Sequence, residues 1–246
     1  MKLYGLIGYP LGHSFSKQYF TGKFEKEGLT DCFFEAFPIN SINELGALLS
    51  ANPLLKGLSV TIPYKEQVLR FVDELSEEVK FIGASNCIKI RGNKLIAYNT
   101  DIIGFEQSFN KKLPKGQTKA LVLGTGGASK AVQYVLNSAG IEFLVVTRQG
   151  VLKDGFIQYK HMHPQILGEY RIIINCTPAG MYPHQNTAPE IPYQLLTTSH
   201  YLFDLVYQPA KTLFLQKGEE RGAAIQNGYD MLLIQAEESW KIWNSR

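Results

Sequence analysis

What this sequence lacks narrows its reading first. No stretch approaches the roughly 18–20 apolar residues that a membrane-spanning helix needs. The opening Met1-Lys2-Leu3-Tyr4-Gly5 reaches Pro10 before any run is long enough for a secretory leader. A soluble, cytoplasmic protein is therefore expected, with no membrane partner. Cysteine is scarce: Cys32, Cys87 and Cys176 are odd in number, far apart and without C-x-x-C spacing. That excludes a closed disulfide framework and a cysteine-built zinc site, and points to buried reduced thiols. The five histidines (His13, His161, His163, His184, His200) show no H-E-x-x-H pattern, so no metal is expected. Neither sign of charge dominates. The 25 Lys and Arg residues stand against 22 Asp and Glu and form no basic run, so nothing calls for a nucleic-acid partner. A pocket for a small anion needs only two or three cations and stays open.

What is present reads as globular. Hydrophobic content is 45% and charged content 19%, close to ordinary averages. A chain of 246 residues is long enough for one large domain or two smaller ones, each with its own core. Strand-like and helix-like runs alternate, with no repeat and no low-complexity segment. Strands are predicted at Leu3–Ile7, Cys32–Phe37 and Leu58–Ile62, the last alternating apolar and hydroxyl residues up to Pro63. Helices are predicted at Ser16–Gly28, Ile42–Leu49 and Glu66–Phe71. Ser85–Ile90 and Lys94–Tyr98 should pair as a hairpin across Arg91-Gly92-Asn93. This order is that of an α/β layer fold.

A second unit opens after Pro114-Lys115-Gly116-Gln117. Strands are predicted at Lys119–Leu123, Phe143–Val146, Phe156–Tyr159, Arg171–Asn175 and Tyr201–Leu205, with a helix ending near Ser138 and a last one at Met231–Ile242. The rhythm is that of a doubly wound parallel sheet, a Rossmann-like domain. Gly124-Thr125-Gly126-Gly127-Ala128-Ser129 falls between the first strand and its helix. Glycines at this spacing allow a tight turn and let backbone N–H groups approach a pyrophosphate at the helix start. Any tight strand–helix turn can use them, but the strand–helix context favours a dinucleotide. About twenty residues on, where an NAD enzyme would carry an acid for the ribose 2′-OH, the chain reads Val146-Thr147-Arg148-Gln149. A cation there suits a 2′-phosphate, although an arginine after a strand is also an ordinary surface charge.

The first unit carries polar clusters at its strand ends. Gly12-His13-Ser14-Phe15-Ser16 offers two hydroxyls able to donate to a carboxylate, or one hydroxyl acting as a helix cap. Ser59-Val60-Thr61-Ile62-Pro63-Tyr64-Lys65 sets hydroxyls on one strand face and a lysine just beyond it. Gly83-Ala84-Ser85-Asn86 and Tyr98-Asn99-Thr100-Asp101 each close an element with amides or a carboxylate. Taken singly these are ordinary turn residues. Together with GTGGASKAV (Gly124 to Val132), IINCTPAGM (Ile173 to Met181), FDLVYQP (Phe203 to Pro209) and NGYDMLLIQA (Asn227 to Ala236), in this order, they resemble the shikimate dehydrogenase family over nearly the whole chain.

The resemblance implies an NADP-dependent oxidoreductase that interconverts 3-dehydroshikimate and shikimate on the route to chorismate and the aromatic amino acids. It implies that Lys65 and Asp101 are the catalytic pair. Ser14 and Ser16 would bind the substrate carboxylate, Thr61, Asn86 and Tyr207 its ring and hydroxyls, and Gln235 would approach it from the last helix. Gly124, Gly126, Gly127, Ala128, Thr147 and Arg148 would hold NADP, with Gly228 near the nicotinamide. It also implies a discontinuous substrate-binding catalytic domain, residues 1–102 and 226–246, to which the C-terminal helix returns, and a dinucleotide-binding domain, residues 103–225. The expected assembly is a monomer or a homodimer. Two departures bear on specificity. Ser59 stands where the family commonly has Asn, and Thr147-Arg148-Gln149 replaces the family's usual Asn-Arg-Thr, with no long helix predicted after it. Two alternatives stay open: a quinate/shikimate dehydrogenase accepting NAD, and a catalytically silent shikimate-binding sensor, which could dispense with Lys65 or Asp101.

Overall fold

The computed structural model describes residues 1–12, 15–148 and 154–245. The chain divides into two compact units, Met1–Thr100 with Ala236–Arg246, and Asp101–Gln235.

The first unit is built on β1 (Lys2–Gly8), α1 (Phe15–Lys26), β2 (Cys32–Pro38), α2 (Leu45–Ala51), β3 (Leu55–Val60), β4 (Glu74–Leu75), α3 (Glu77–Ile82), β5 (Cys87–Arg91) and β6 (Lys94–Tyr98). Its sheet runs β2-β1-β3-β5-β6-β4. The neighbours of β1 are parallel to it, while β5 is antiparallel to both β3 and β6, the latter pair being the expected hairpin. One face buries Ile7, Leu58, Val60, Tyr64 and Val68, and the other packs Tyr4, Phe20, Phe34 and Trp243. The helix expected at Glu66–Phe71 is a 3-10 helix over Gln67–Phe71. Val68 is its one fully buried side chain, with Leu69 and Phe71 partly buried against the same core, and a 3-10 turn is common in so short a piece.

Tertiary packing makes one glycine mandatory. A Cβ on Gly57 in β3 would lie 2.2 Å from Cδ1 of Trp243, whose indole N–H donates to Ile88 O at 3.0 Å. A rigid ring held by its own hydrogen bond cannot step aside. Gly57→Ala should cost about 1–3 kcal/mol, the range for overpacking a filled core. Urea unfolding would register this as a lower midpoint at constant slope; an unchanged midpoint would show that the ring yields.

The second unit contains α4 (Asp101–Asn110), β7 (Lys119–Leu123), α5 (Gly127–Ser138), β8 (Glu142–Thr147), β9 (Phe156–Gln158), α6 (Pro164–Glu169), β10 (Ile172–Asn175), β11 (Tyr201–Asp204), α7 (Leu213–Glu219) and β12 (Ala224–Gln226). The strand order is β12-β11-β10-β7-β8-β9 with every neighbouring pair parallel. The order reverses at β7 and β10, which makes their carboxyl ends the switch point where doubly wound sheets take ligands. Leu121, Ile173, Leu202 and Phe214 share one core layer. In another contact Phe105 of α4 meets Phe203 with ring centroids 5.2 Å apart, and Phe109 meets Tyr201 at 5.8 Å.

The last helix, α8 (Tyr229–Asn244), is longer than expected. Residues 101–102 and 226–235 group with the second unit, and the rest of α8 with the first. The close approach of α4 explains it: a Cβ on Gly104 would lie 2.8 Å from Met231 O.

Candidate functional site

In the first unit, local hydrogen bonds gather the expected residues at the ends of β1, β3 and β5. Tyr9 N–H donates to Ile62 O and Thr61 N–H to Ile7 O, both at 3.0 Å, lacing together the exits of β1 and β3. A Cβ on Gly8 would stand 2.4 Å from Thr61 Cγ2, so glycine is what admits the threonine. Residues 61–65 then form a turn in which Tyr64 N–H donates to Thr61 O at 2.9 Å. The buried Tyr64 hydroxyl pins that turn from below by donating to Ile39 O at 2.6 Å. From the β5 side, Ser85 N–H donates to Lys65 O at 2.7 Å. Lys65 is thus a half-buried side chain on a backbone held from two directions.

Asn86 is buried, and its amide holds the segment ahead of Asp101. Its Nδ2 donates to Thr100 Oγ1 at 2.9 Å, and its Oδ1 accepts from Thr100 N–H at 2.7 Å. Thr100 Oγ1 also lies 3.0 Å from Ser239 Oγ on α8, and Asn99 Nδ2 donates to Ala84 O at 2.9 Å. Ser16 is the second residue of α1 and half-buried. Ser14 lies outside the described residues, as do His13 and Gln149.

In the second unit, Asp101 is the first residue of α4 and is 5% exposed. A carboxylate in the first turn of a helix is favoured by the helix dipole. The glycine turn behaves as its spacing suggests. Gly124 has φ +103°, and its N–H donates to Val146 O at 2.9 Å. Gly126 caps α5 with no side-chain hydrogen bond, and a Cβ added to it would meet nothing within 4 Å. Among the described residues no side chain caps the start of α5, and open space stands above the turn. A pyrophosphate fits that cradle. Ser129, third in the glycine pattern, is fully buried and donates its hydroxyl to Gly124 O at 2.7 Å, closing the turn from below.

One strand over, Thr147 ends β8 in register with Gln158, and Arg148 follows it exposed. Burial pushes the Tyr159 hydroxyl up to about 12, opposed by the Arg148 charge. Tyr207 follows β11 half-buried, its hydroxyl also raised by burial. Gly228 lies beside that loop: its N–H donates to Val206 O at 3.3 Å, and a Cβ on it would stand 2.2 Å from Leu205 O. Any larger residue at 228 would displace the loop that carries Tyr207. Gln235 is half-buried on α8, with its Cβ 3.0 Å from where a Cβ on Gly104 would be.

A buried polar group escaped the sequence reading. Asp204 is fully buried and accepts from Asn175 Nδ2 at 2.9 Å, Val206 N–H at 3.0 Å and the Thr212 hydroxyl at 2.5 Å. Burial pushes its carboxyl up to about 6, opposed by those three hydrogen bonds. The available signal was a polar residue closing each of two apolar strands, Ile-Ile-Ile-Asn and Leu-Phe-Asp. Among the described residues no group of three or more His, Cys, Asp or Glu side chains is placed to hold a metal ion. No described helix is long and apolar enough to cross a membrane.

Comparison with known proteins bears on both units. Residues 6–88 match the family model of the shikimate dehydrogenase substrate binding domain. The chain is 36% identical over 260 residues to the shikimate dehydrogenase (NADP(+)) of Carboxydothermus hydrogenoformans, covering 98% of this chain and 91% of that one. Shikimate dehydrogenase 1 from Peptoclostridium difficile superposes with a TM-score of 0.83 at 36% identity, covering 99% of this chain and 91% of its own. Shikimate 5-dehydrogenase from Thermus thermophilus, in complex with NADP(H) and shikimate, superposes with a TM-score of 0.86 at 28% identity, covering 99% and 94%.

Proposed function

Because this chain belongs to the shikimate dehydrogenase family, we propose that it reduces 3-dehydroshikimate to shikimate with NADPH. The observation that carries this reading is Lys65, presented half-buried on a turn fixed by Tyr64 and Ser85, at the position where the family's motif has its catalytic lysine. The residue types suit the chemistry. NADPH, when bound, supplies the hydride. Reduction of a ketone builds negative charge on its oxygen, and the Lys65 ammonium stabilises that charge and donates the proton. The Asp101 carboxylate keeps the lysine oriented. Ser14 and Ser16 donate to the substrate carboxylate, while Thr61, Asn86, Tyr207 and Gln235 read the ring and its hydroxyls.

On the same reading residues 1–102 and 226–246 serve substrate and residues 103–225 serve the dinucleotide. Above the turn made at Gly124, backbone N–H groups of Gly126, Gly127 and Ala128 take the pyrophosphate, Gly228 lies near the nicotinamide, and Thr147 and Arg148 take the 2′-phosphate. The enzyme works in the cytoplasm as a monomer or a homodimer. A spectrophotometric assay of the pure protein with NADPH or NADH, against 3-dehydroshikimate or 3-dehydroquinate, tests the proposal. Turnover of dehydroshikimate by NADPH supports it, and no turnover of any pair would leave a sensor as the better account.

Arg148 sets the cofactor expectation. An acid there would repel a 2′-phosphate, whereas a guanidinium pairs with it through two parallel hydrogen bonds. An exposed pair of this kind is worth about 1–2 kcal/mol, so kcat/KM should favour NADPH over NADH by roughly five- to thirtyfold. Arg148→Ala should remove most of that margin by weakening NADPH and leaving NADH nearly unchanged. A variant that keeps the parent's preference would reduce Arg148 to a surface charge.

A further inference from the structure

A carboxylate buried at the end of β11 needs a reason. Moving an ion out of water is costly, and an apolar residue of similar size would pack the same space without that cost. Among the described residues Asp204 has no cation as a hydrogen-bond partner; its oxygens accept from three neutral donors. Those donors belong to three different segments. Asn175 ends β10, Val206 begins the loop after β11, and Thr212 caps α7 by accepting from Leu215 N–H at 3.4 Å.

The arrangement continues outward to the glycine turn. Leu123, Asn175 and Asp204 lie in one register row across the carboxyl ends of β7, β10 and β11. Asn175 Oδ1 accepts from Thr177 N–H at 3.0 Å and from the Thr177 hydroxyl at 2.6 Å, which turns the loop after β10 back over the strand end. The methyl of Thr177 then packs on the glycine turn, 3.0 Å from where a Cβ on Gly124 would be. On the other side Val206 receives the N–H of Gly228. One anion thus orders the loop after β10 against Gly124 and the loop after β11 against Gly228.

We propose that Asp204 is a positioning residue for the dinucleotide, acting through Asn175, Val206 and Thr212 to hold the loops at both the pyrophosphate turn and Gly228. This rests on the reading above that the glycine turn binds NADP. The donors are buried, so removing the acceptor strands three of them, and removing the Thr212 hydroxyl strands one carboxylate oxygen. Either change lets the loops shift, and small displacements in a binding constellation carry large losses.

The test is calorimetric titration of the full chain with NADP+, well below the melting temperature, for the parent, Asp204→Ala, Thr212→Val and Thr212→Ser. Melting temperatures and kcat/KM for NADPH are measured beside it. Thr212→Val should weaken NADP+ binding about tenfold and Asp204→Ala by at least as much, with Thr212→Ser, which keeps the hydroxyl, close to the parent. Should Asp204→Ala fail to fold, the Thr212 pair still decides the matter. A merely structural network would lower the melting temperature of Thr212→Val and leave its affinity for NADP+ unchanged, which overturns the positioning role. A parent that binds neither NADP+ nor NAD+ overturns instead the reading on which it rests.

Discussion

Replacing Lys65 by alanine should lower kcat by a factor on the order of 10²–10⁴, the usual span for losing acid–base assistance at a reacting oxygen. Substrate KM should move far less. The ammonium acts on charge that is absent from the ketone and present in the transition state, and interactions of that kind appear in kcat. The fold should survive the change. The Lys65 backbone is held by Ser85 N–H, and the turn is anchored by the Tyr64 hydroxyl; neither contact involves the lysine side chain. Steady-state kinetics with a thermal melt would settle it. A folded Lys65→Ala variant with near-parental kcat removes Lys65 from the chemistry.

The parts legible in the sequence were those whose signal is periodic or punctuated. Ala120–Leu123 is an uninterrupted apolar run closed by a glycine turn, and β7 has the predicted bounds Lys119–Leu123. The hairpin of β5 and β6 announced itself through Arg91-Gly92-Asn93, with Gly92 at φ +61°. Elements that were not anticipated lack such marks. α4 buries Asp101, Ile102, Gly104, Phe105, Ser108 and Phe109, a single face on which polar and small residues interrupt the apolar signal. α3 and α6 have six residues each and β12 three, too short for a period to emerge. The helix expected at Glu66 is a five-residue 3-10 helix, Gln67–Phe71, also too short to show its period.

The candidate site divides in the same way. The glycine turn could be chosen from residue type and spacing, whereas Lys65 and Thr61 stood out through the resemblance of their motif to the family's. The groups that hold them could not be chosen either way. Nothing in the sequence says that the Tyr64 hydroxyl reaches Ile39, that Ser85 meets the Lys65 carbonyl, or that Asn175 and Asp204 share a register row. Those pairings join residues far apart along the chain, and only the fold brings them within hydrogen-bond distance.

Asp101→Asn should lower kcat by a factor on the order of 10²–10³, somewhat less than loss of the lysine, because the amide keeps the shape and removes the charge. Asp101 opens α4, in the first turn, where a helix dipole suits an acidic residue. If the carboxylate works by orienting Lys65, its contribution exists only while the lysine is present. The double variant Lys65→Ala/Asp101→Asn should therefore be little slower than Lys65→Ala alone, as for other groups that act as a unit. Additive losses in that cycle would mean that Asp101 meets the substrate independently of Lys65. Near-parental kcat in a folded Asp101→Asn would mean that its charge plays no part in the reaction.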